Sequence, residues 1–144
     1  GWFMHETNED FTKVTKLGIS LAQKHSPSNV DLIPYDCWGA IYQKGEYTKP
    51  HEHWPQIWSW VYNVECCEKC SPLIFHDIKE YSLIPKKGNL TLFPGWIKHY
   101  VPEQKCDHDR IIIAGNLGVN PWKLISGIEK RYDDNLETFI NTYK

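Results

Sequence analysis

The 144-residue chain is 41% hydrophobic and 24% charged, which suits one globular domain and excludes a disordered, collagen-like or coiled-coil protein. Sixteen Lys and Arg against eighteen Asp and Glu leave a net charge of −2, so there is no global cationic field to hold nucleic acid or an anionic membrane. No apolar run approaches the roughly 20 residues that cross a bilayer, and Gly1-Trp2-Phe3-Met4-His5-Glu6 lacks the basic and apolar segments of a secretory leader. The expectation is a single cytoplasmic domain over 1–144, monomeric or homodimeric.

The first predicted element is a helix over 8–25. Thr7-x-x-Asp10 has a capping-box pattern, Phe11, Val14, Leu17, Leu21 and Ala22 follow at helical spacing, and Ser26-Pro27-Ser28 stops the run. From Cys37 the pattern changes to short aromatic and β-branched runs separated by Gly, Pro, Lys and Asn. These predict strands at Cys37–Gln43, Ile57–Val64, Pro72–Phe75, Tyr81–Ile84, Asn89–Phe93, Ile97–Val101 and Arg110–Asn116, the pattern of a β barrel or sandwich. After Asn120-Pro121, Leu124, Ile125, Ile128 and Tyr132 share a helical face; Asp133-Asp134-Asn135 interrupts it, and Leu136, Phe139 and Ile140 predict a second turn or two of helix.

His51-Glu52-His53 follows the turn Lys44-Gly45-Glu46. On extended backbone, His51 and His53 project to one side and Glu52 to the other. A barrel can bring His99 beside them, and three imidazoles on two strands make a facial metal set with open positions. Five residues separate Gly45 from His51, and Gly88-x5-Pro94-x4-His99 forms a second block. Those are the spacings of the two cupin-type double-stranded β-helix motifs, although Trp96 and Glu103 replace the glycine and asparagine of the second. Arg110 stands 11 residues after His99, at the head of the apolar run Ile111-Ile112-Ile113-Ala114. Either a surface carboxylate such as Asp107 or Asp109 holds it, or its planar guanidinium grips the distal carboxylate of a keto acid.

Trp54, Trp58, Trp60 and Trp96 neighbour the histidines in sequence and are candidates for a substrate cleft, or else fill the barrel interior. Five cysteines are an odd number in a chain that can fold on its core, so reduced thiols are expected. Cys66-Cys67-Glu68-Lys69-Cys70 contains C-x2-C, but with only the distant Cys106 to add, it reads as a turn carrying thiols rather than as a zinc site. His5, His25, His76 and His108 read as surface or loop residues.

Across residues 37–117 the chain resembles the iron(II)/2-oxoglutarate-dependent oxygenases of the prolyl-hydroxylase-like type found in bacteria and tailed phages. The resemblance lies in Trp38-Gly39-Ala40-Ile41-Tyr42-Gln43-Lys44-Gly45-Glu46-Tyr47, Pro50 to His53, Ser59-Trp60-Val61-Tyr62, Pro72 to Asp77, Gly88 to His99, and Arg110 to Asn116. It implies a mainly β fold, a double-stranded β-helix or jelly-roll of the cupin-like kind, with an N-terminal helix and a C-terminal helical segment. It further implies Fe(II) held by His51 and His99, with His53 where the wider superfamily has a carboxylate and Asp77 as a possible carboxylate from elsewhere. By the same resemblance, 2-oxoglutarate and O2 are co-substrates, Arg110 anchors 2-oxoglutarate with help from Tyr42 or Tyr62, and a substrate such as a peptidyl proline is hydroxylated. The alternatives are a cupin-like metalloenzyme that does not use 2-oxoglutarate and a non-catalytic β-barrel binding module.

Overall fold

The computed structural model describes residues 1–76 and 81–120. The predicted C-terminal helical segment and Asp77 lie outside them. Among the described residues no helix is long and apolar enough to cross a membrane.

A single 3-10 turn, Met4–Glu6, precedes helix α1, Glu9–Lys24. The cap is Asn8 rather than Thr7. Asn8 is extended, and its Oδ1 accepts from the N–H groups of Asp10 (2.9 Å) and Phe11 (3.3 Å), which the turn of helix would otherwise leave unpaired. Glu9 and Asp10 add negative charge where the helix dipole favours it. The helix ends at His25, two residues before Pro27, as the sequence predicts.

Among the described residues eight strands follow: β1 (Leu32–Tyr42), β2 (Thr48–His51), β3 (Trp58–Glu65), β4 (Leu73–Phe75), β5 (Tyr81–Leu83), β6 (Leu90–Pro94), β7 (His99–Val101) and β8 (Arg110–Val119). They pair antiparallel in two four-stranded sheets, ordered β1-β8-β3-β6 and β2-β7-β4-β5. Every connection except β4 to β5 crosses between sheets, which is the winding of a double-stranded β-helix. Strand β2 is absent from the sequence prediction because Thr48-Lys49-Pro50 lacks an apolar alternation. It pairs with β7 only at Thr48↔Val101 and His51↔His99, with an irregularity between them. Strands β1 and β8 both extend beyond their predicted limits, pairing from Tyr42↔Arg110 to Leu32↔Val119.

Period-two alternation gives the first sheet two distinct faces. Cys37, Trp60, Ile113 and Leu117 point outward and pack with Val14 and Ala22 of α1, and Trp58, Tyr62, Leu90 and Leu92 join them. Val61, Phe93, Ile112 and Ala114 point inward, where Leu73, Phe75 and Val101 of the second sheet meet them. Glycine permits the outer packing, since a Cβ on Gly115 would stand 2.5 Å from the Trp60 ring. Before α1, the chain lies along the edge of β1: Phe3 bridges Cys37, and the Cys37 N–H donates to Trp2 O at 2.7 Å. The fold also brings Cys106, distant in sequence, onto the Cys66–Cys70 turn, with its Sγ 3.3 Å from Cys67 Sγ.

Candidate metal centre

Between the two sheets lies a cavity of about 400 Å³ lined by His51, His53 and His99 together with Tyr42 and Arg110. The register His51↔His99 sets two imidazoles side by side, with ring centroids 4.3 Å apart. His53 joins from just beyond β2, 5.0 Å from each of the other two rings. One ligand atom from each of the three lies within 4.8 Å of the others, close enough to share one ion.

Backbone contacts fix the three rings. His51 Nδ1 lies 2.7 Å from Lys49 O and His99 Nδ1 lies 3.0 Å from Ile97 O. A carbonyl only accepts, so each Nδ1 carries the proton and the lone pair is on Nε2, the arrangement usual for metal-ligating histidines. The His53 N–H donates to Gly95 O at 2.7 Å, and the Gly95 N–H donates to Ile57 O at 3.0 Å. Only glycine fits at that crossing, because a Cβ on residue 95 would collide with the Gln56 carbonyl. Burial, reinforced by neighbouring His51, lowers the His53 pKa to about 4, so its imidazole is neutral, as a ligand must be. The donor set therefore suits a first-row divalent cation such as Fe(II). Glu52 lines the cavity but does not belong to the ligand group, and among the described residues no carboxylate joins it.

Arg110 is 2% exposed. The surface-carboxylate reading does not hold, since Asp107 pairs with Lys44 instead (3.1 Å) and none of the described carboxylates forms an ion pair with Arg110. Its Nη1 donates to Ser71 O (2.8 Å), its Nη2 donates to Asn63 Oδ1 (3.3 Å), and among the described residues Nε has no partner. The guanidinium carbon lies 5.9 Å from the Tyr42 ring centre. Burial pushes the arginine pKa down and the Tyr42 pKa up, and the proximity of each group opposes the other's shift. Among the described residues, this buried cation is held by neutral acceptors only.

The structure separates Tyr62 from this site. Arg110, Ile112 and Ala114 share the inward face with Ser59, Val61 and Asn63, whereas Tyr62 lies on the α1 face of β3. Of the predicted tryptophan rim, Trp54, Trp58 and Trp96 do not line the cavity. Trp60, 1% exposed, packs under α1 and also lines the cavity, whereas Trp58 packs on the α1 face and donates Nε1–H to Ser26 Oγ at 2.9 Å. Trp54 and Trp96 lie exposed. Of the predicted tryptophans, Trp60 alone is among the residues lining the cavity, and Trp38 and Trp2, which the sequence reading missed, line it beside the histidines. Their rings meet edge-on at 5.2 Å, and Trp38 lies 6.1 Å from His53. Period-two spacing from Tyr42 could have found Trp38, whereas Trp2 arrives through edge pairing that no local pattern encodes.

A polar network borders the cavity. Ser59 Oγ donates to Asn116 Oδ1 (2.6 Å), and Asn116 donates from N (3.1 Å) and Nδ2 (2.8 Å) to Asp36 Oδ1. Burial raises the Asp36 pKa, and the bonds from Asn116 oppose that shift.

No protein-family model matches the chain, and no curated protein matches it. Solved structures do. A 2OG-Fe(II) oxygenase-family oxidoreductase from Burkholderia pseudomallei superposes with TM-score 0.65 at 12% identity, over 74% of this chain and 56% of that one. A Trichoplax adhaerens prolyl hydroxylase, solved with a hypoxia-inducible-factor peptide fragment, gives TM-score 0.63 at 16% identity, over 81% and 60%. A viral collagen prolyl hydroxylase from Paramecium Bursaria Chlorella virus-1 gives 0.62 at 18%, over 83% and 74%. The chain thus spans little more than half of the Burkholderia protein. These likenesses establish the fold: the chain is built on the double-stranded β-helix of the 2OG-Fe(II) oxygenases and prolyl hydroxylases.

Proposed function

We propose that this protein is an Fe(II)- and 2-oxoglutarate-dependent oxygenase that hydroxylates an organic substrate. The observation that carries the reading is the sharing of one cavity by a three-imidazole ligand group and a buried arginine that has no carboxylate partner among the described residues. Iron with bound 2-oxoglutarate and O2 would supply oxidation of a C–H bond coupled to decarboxylation of the keto acid.

The chain's own residues then have distinct tasks. His51, His53 and His99 hold the ion, with Lys49 O and Ile97 O fixing two of the rings. Arg110 binds the distal carboxylate of 2-oxoglutarate; Ser71 O and Asn63 Oδ1 aim its guanidinium and Tyr42 packs beside it. Trp38 and Trp2 shield the histidine side of the cavity from water. A peptide substrate, with prolyl as the first residue to test, is suggested by the prolyl hydroxylases that share the fold and by the peptide bound to one of them.

The test is an anaerobic titration of the Fe(II)-loaded protein with 2-oxoglutarate, following the visible charge-transfer band of the chelate. The band is expected to saturate in the wild type and to be absent from His99→Ala. Iron binding without a band would transfer the protein to the cupin-like reading, and no iron binding would make it a binding module.

A further inference from the structure

A second group of metal-ligating atoms lies outside the cavity. Cys67 and Cys70 occupy the turn between β3 and β4, and the connection from β7 to β8 carries Cys106 onto them. Cys67 Sγ lies 3.6 Å from Cys70 Sγ and 3.3 Å from Cys106 Sγ, and all three sulfurs are within 4.8 Å of one another. Thiolates bound to zinc at about 2.3 Å stand roughly 3.8 Å apart on a tetrahedron, so these sulfurs need to move only slightly to share one ion.

The surroundings suit thiolates. The Cys67 N–H donates to Cys70 Sγ and the His108 N–H to Cys106 Sγ, both at 3.3 Å, and such bonds stabilise negative charge on sulfur. A buried frame holds the two segments in place. Gln104, fully buried, accepts from the Ser71 N–H at 2.8 Å and donates Nε2–H to His108 O at 2.8 Å, while Ser71 Oγ–H donates to Glu103 O at 2.8 Å. The His108 ring turns to Glu65 Oε1, 3.1 Å from its Nε2, and is not one of the grouped ligand atoms.

We propose that Cys67, Cys70 and Cys106 bind one thiophilic divalent cation, Zn(II), which clips the β3–β4 turn to the β7–β8 connection. Binding exchanges thiol protons for the metal with no change in oxidation state, so it requires the reduced protein. The clip lies next to the anion site: Ser71, whose carbonyl holds Arg110, follows Cys70 directly, and Arg110 is four residues after Cys106. It stands independently of the oxygenase reading.

The test uses the full chain carrying His51→Ala and His99→Ala, so that the histidine site is removed, stripped of metal under reductant and titrated with Co(II) and then Zn(II). One equivalent of Co(II) is expected to give an intense thiolate charge-transfer band that Zn(II) displaces. Zn(II) is also expected to protect Cys67 and Cys106 from alkylation and to raise the melting temperature. Cys67→Ser and Cys106→Ser are expected to lose the band, and Cys66→Ser to keep it; circular dichroism establishes that each variant folds. Absence of the band in the folded parent, or its persistence in Cys67→Ser and Cys106→Ser, would overturn the proposal. So would a Cys67–Cys106 disulfide in the isolated protein that yields no metal-binding site after reduction.

Discussion

At the scale of single residues, Arg110 is the side chain whose environment is hardest to explain by structure alone. It sits 2% exposed against Ser71 O and Asn63 Oδ1, with Nε unpaired and no carboxylate ion pair among the described residues. If a carboxylate ligand completes that environment, Arg110→Ala should weaken 2-oxoglutarate by about 2–5 kcal/mol, the cost of removing one partner of a buried charge pair. Arg110→Lys should restore little of this, because an ammonium cannot reproduce the two-pronged grip. Isothermal titration of the Mn(II)-loaded protein measures both, and equal affinities across the three proteins would remove Arg110 from the site. The sequence exposed the arginine because a charge heads an apolar strand. Its clamp was hidden, since Ser71 and Asn63 lie 39 and 47 residues away. Gly95 offers a second test. Its carbonyl holds the His53 N–H, and a Cβ there would strike the Gln56 carbonyl. Gly95→Ala should therefore lower Fe(II) affinity about 10–100-fold, the usual scale for disturbing the support of a metal ligand. An unchanged Fe(II) dissociation constant would show that the crossing tolerates the methyl and that His53 keeps its place.

At the scale of elements, β3 shows how alternation overrides closeness in sequence. Trp54, Trp58, Trp60 and Trp96 all neighbour the histidines along the chain, which made them cleft candidates. Yet Ser59, Val61 and Asn63 face the interior while Trp58, Trp60 and Tyr62 face α1, although Trp60 also lines the cavity. Correct pairing of β3 with β8 decides this, and a single sequence does not reveal which face the helix will cover. A measurable difference follows. Trp60→Ala should cost about 3–5 kcal/mol through the cavity it opens under α1, whereas Trp54→Ala, at a side chain 69% exposed, should stay within about 0.5 kcal/mol. Urea unfolding of both variants checks this, and comparable losses would mean that Trp60 does not carry the helix-side core. The predicted helix needed only its cap moved from Thr7 to Asn8, because helical periodicity is a local signal. Strand β2 was missed for the opposite reason: Lys49 and Pro50 hide it, and it is defined by β7 across the sheet.

On the scale of the whole molecule, the candidate site belongs to neither sheet. His51 and His99 lie on β2 and β7 of one sheet, Tyr42 and Arg110 on β1 and β8 of the other, and the cavity lies between them. The spacing of the two histidine blocks and the downstream arginine made this topology readable in outline, because those residues must converge for the motif to have chemistry. The winding that brings them together was not readable, since seven strand connections can be drawn in many ways without the long-range pairings. If 2-oxoglutarate binds a metal held by the imidazoles and places its distal carboxylate on the guanidinium, it would tie the sheets to each other and favour the folded chain. Its effect on stability follows from mass action: at 100 times the dissociation constant, a ligand adds about 2.7 kcal/mol. Mn(II) and 2-oxoglutarate together should thus raise the melting temperature by more than the sum of their separate effects, since each helps to organise the site for the other. His99→Ala should abolish the metal-dependent part, and Arg110→Ala only the excess due to 2-oxoglutarate. Hydrogen exchange on the same samples should show added protection in β7 and β8 at once. Protection confined to β2 and β7 would place the ligand on the histidines alone and detach Arg110 from it.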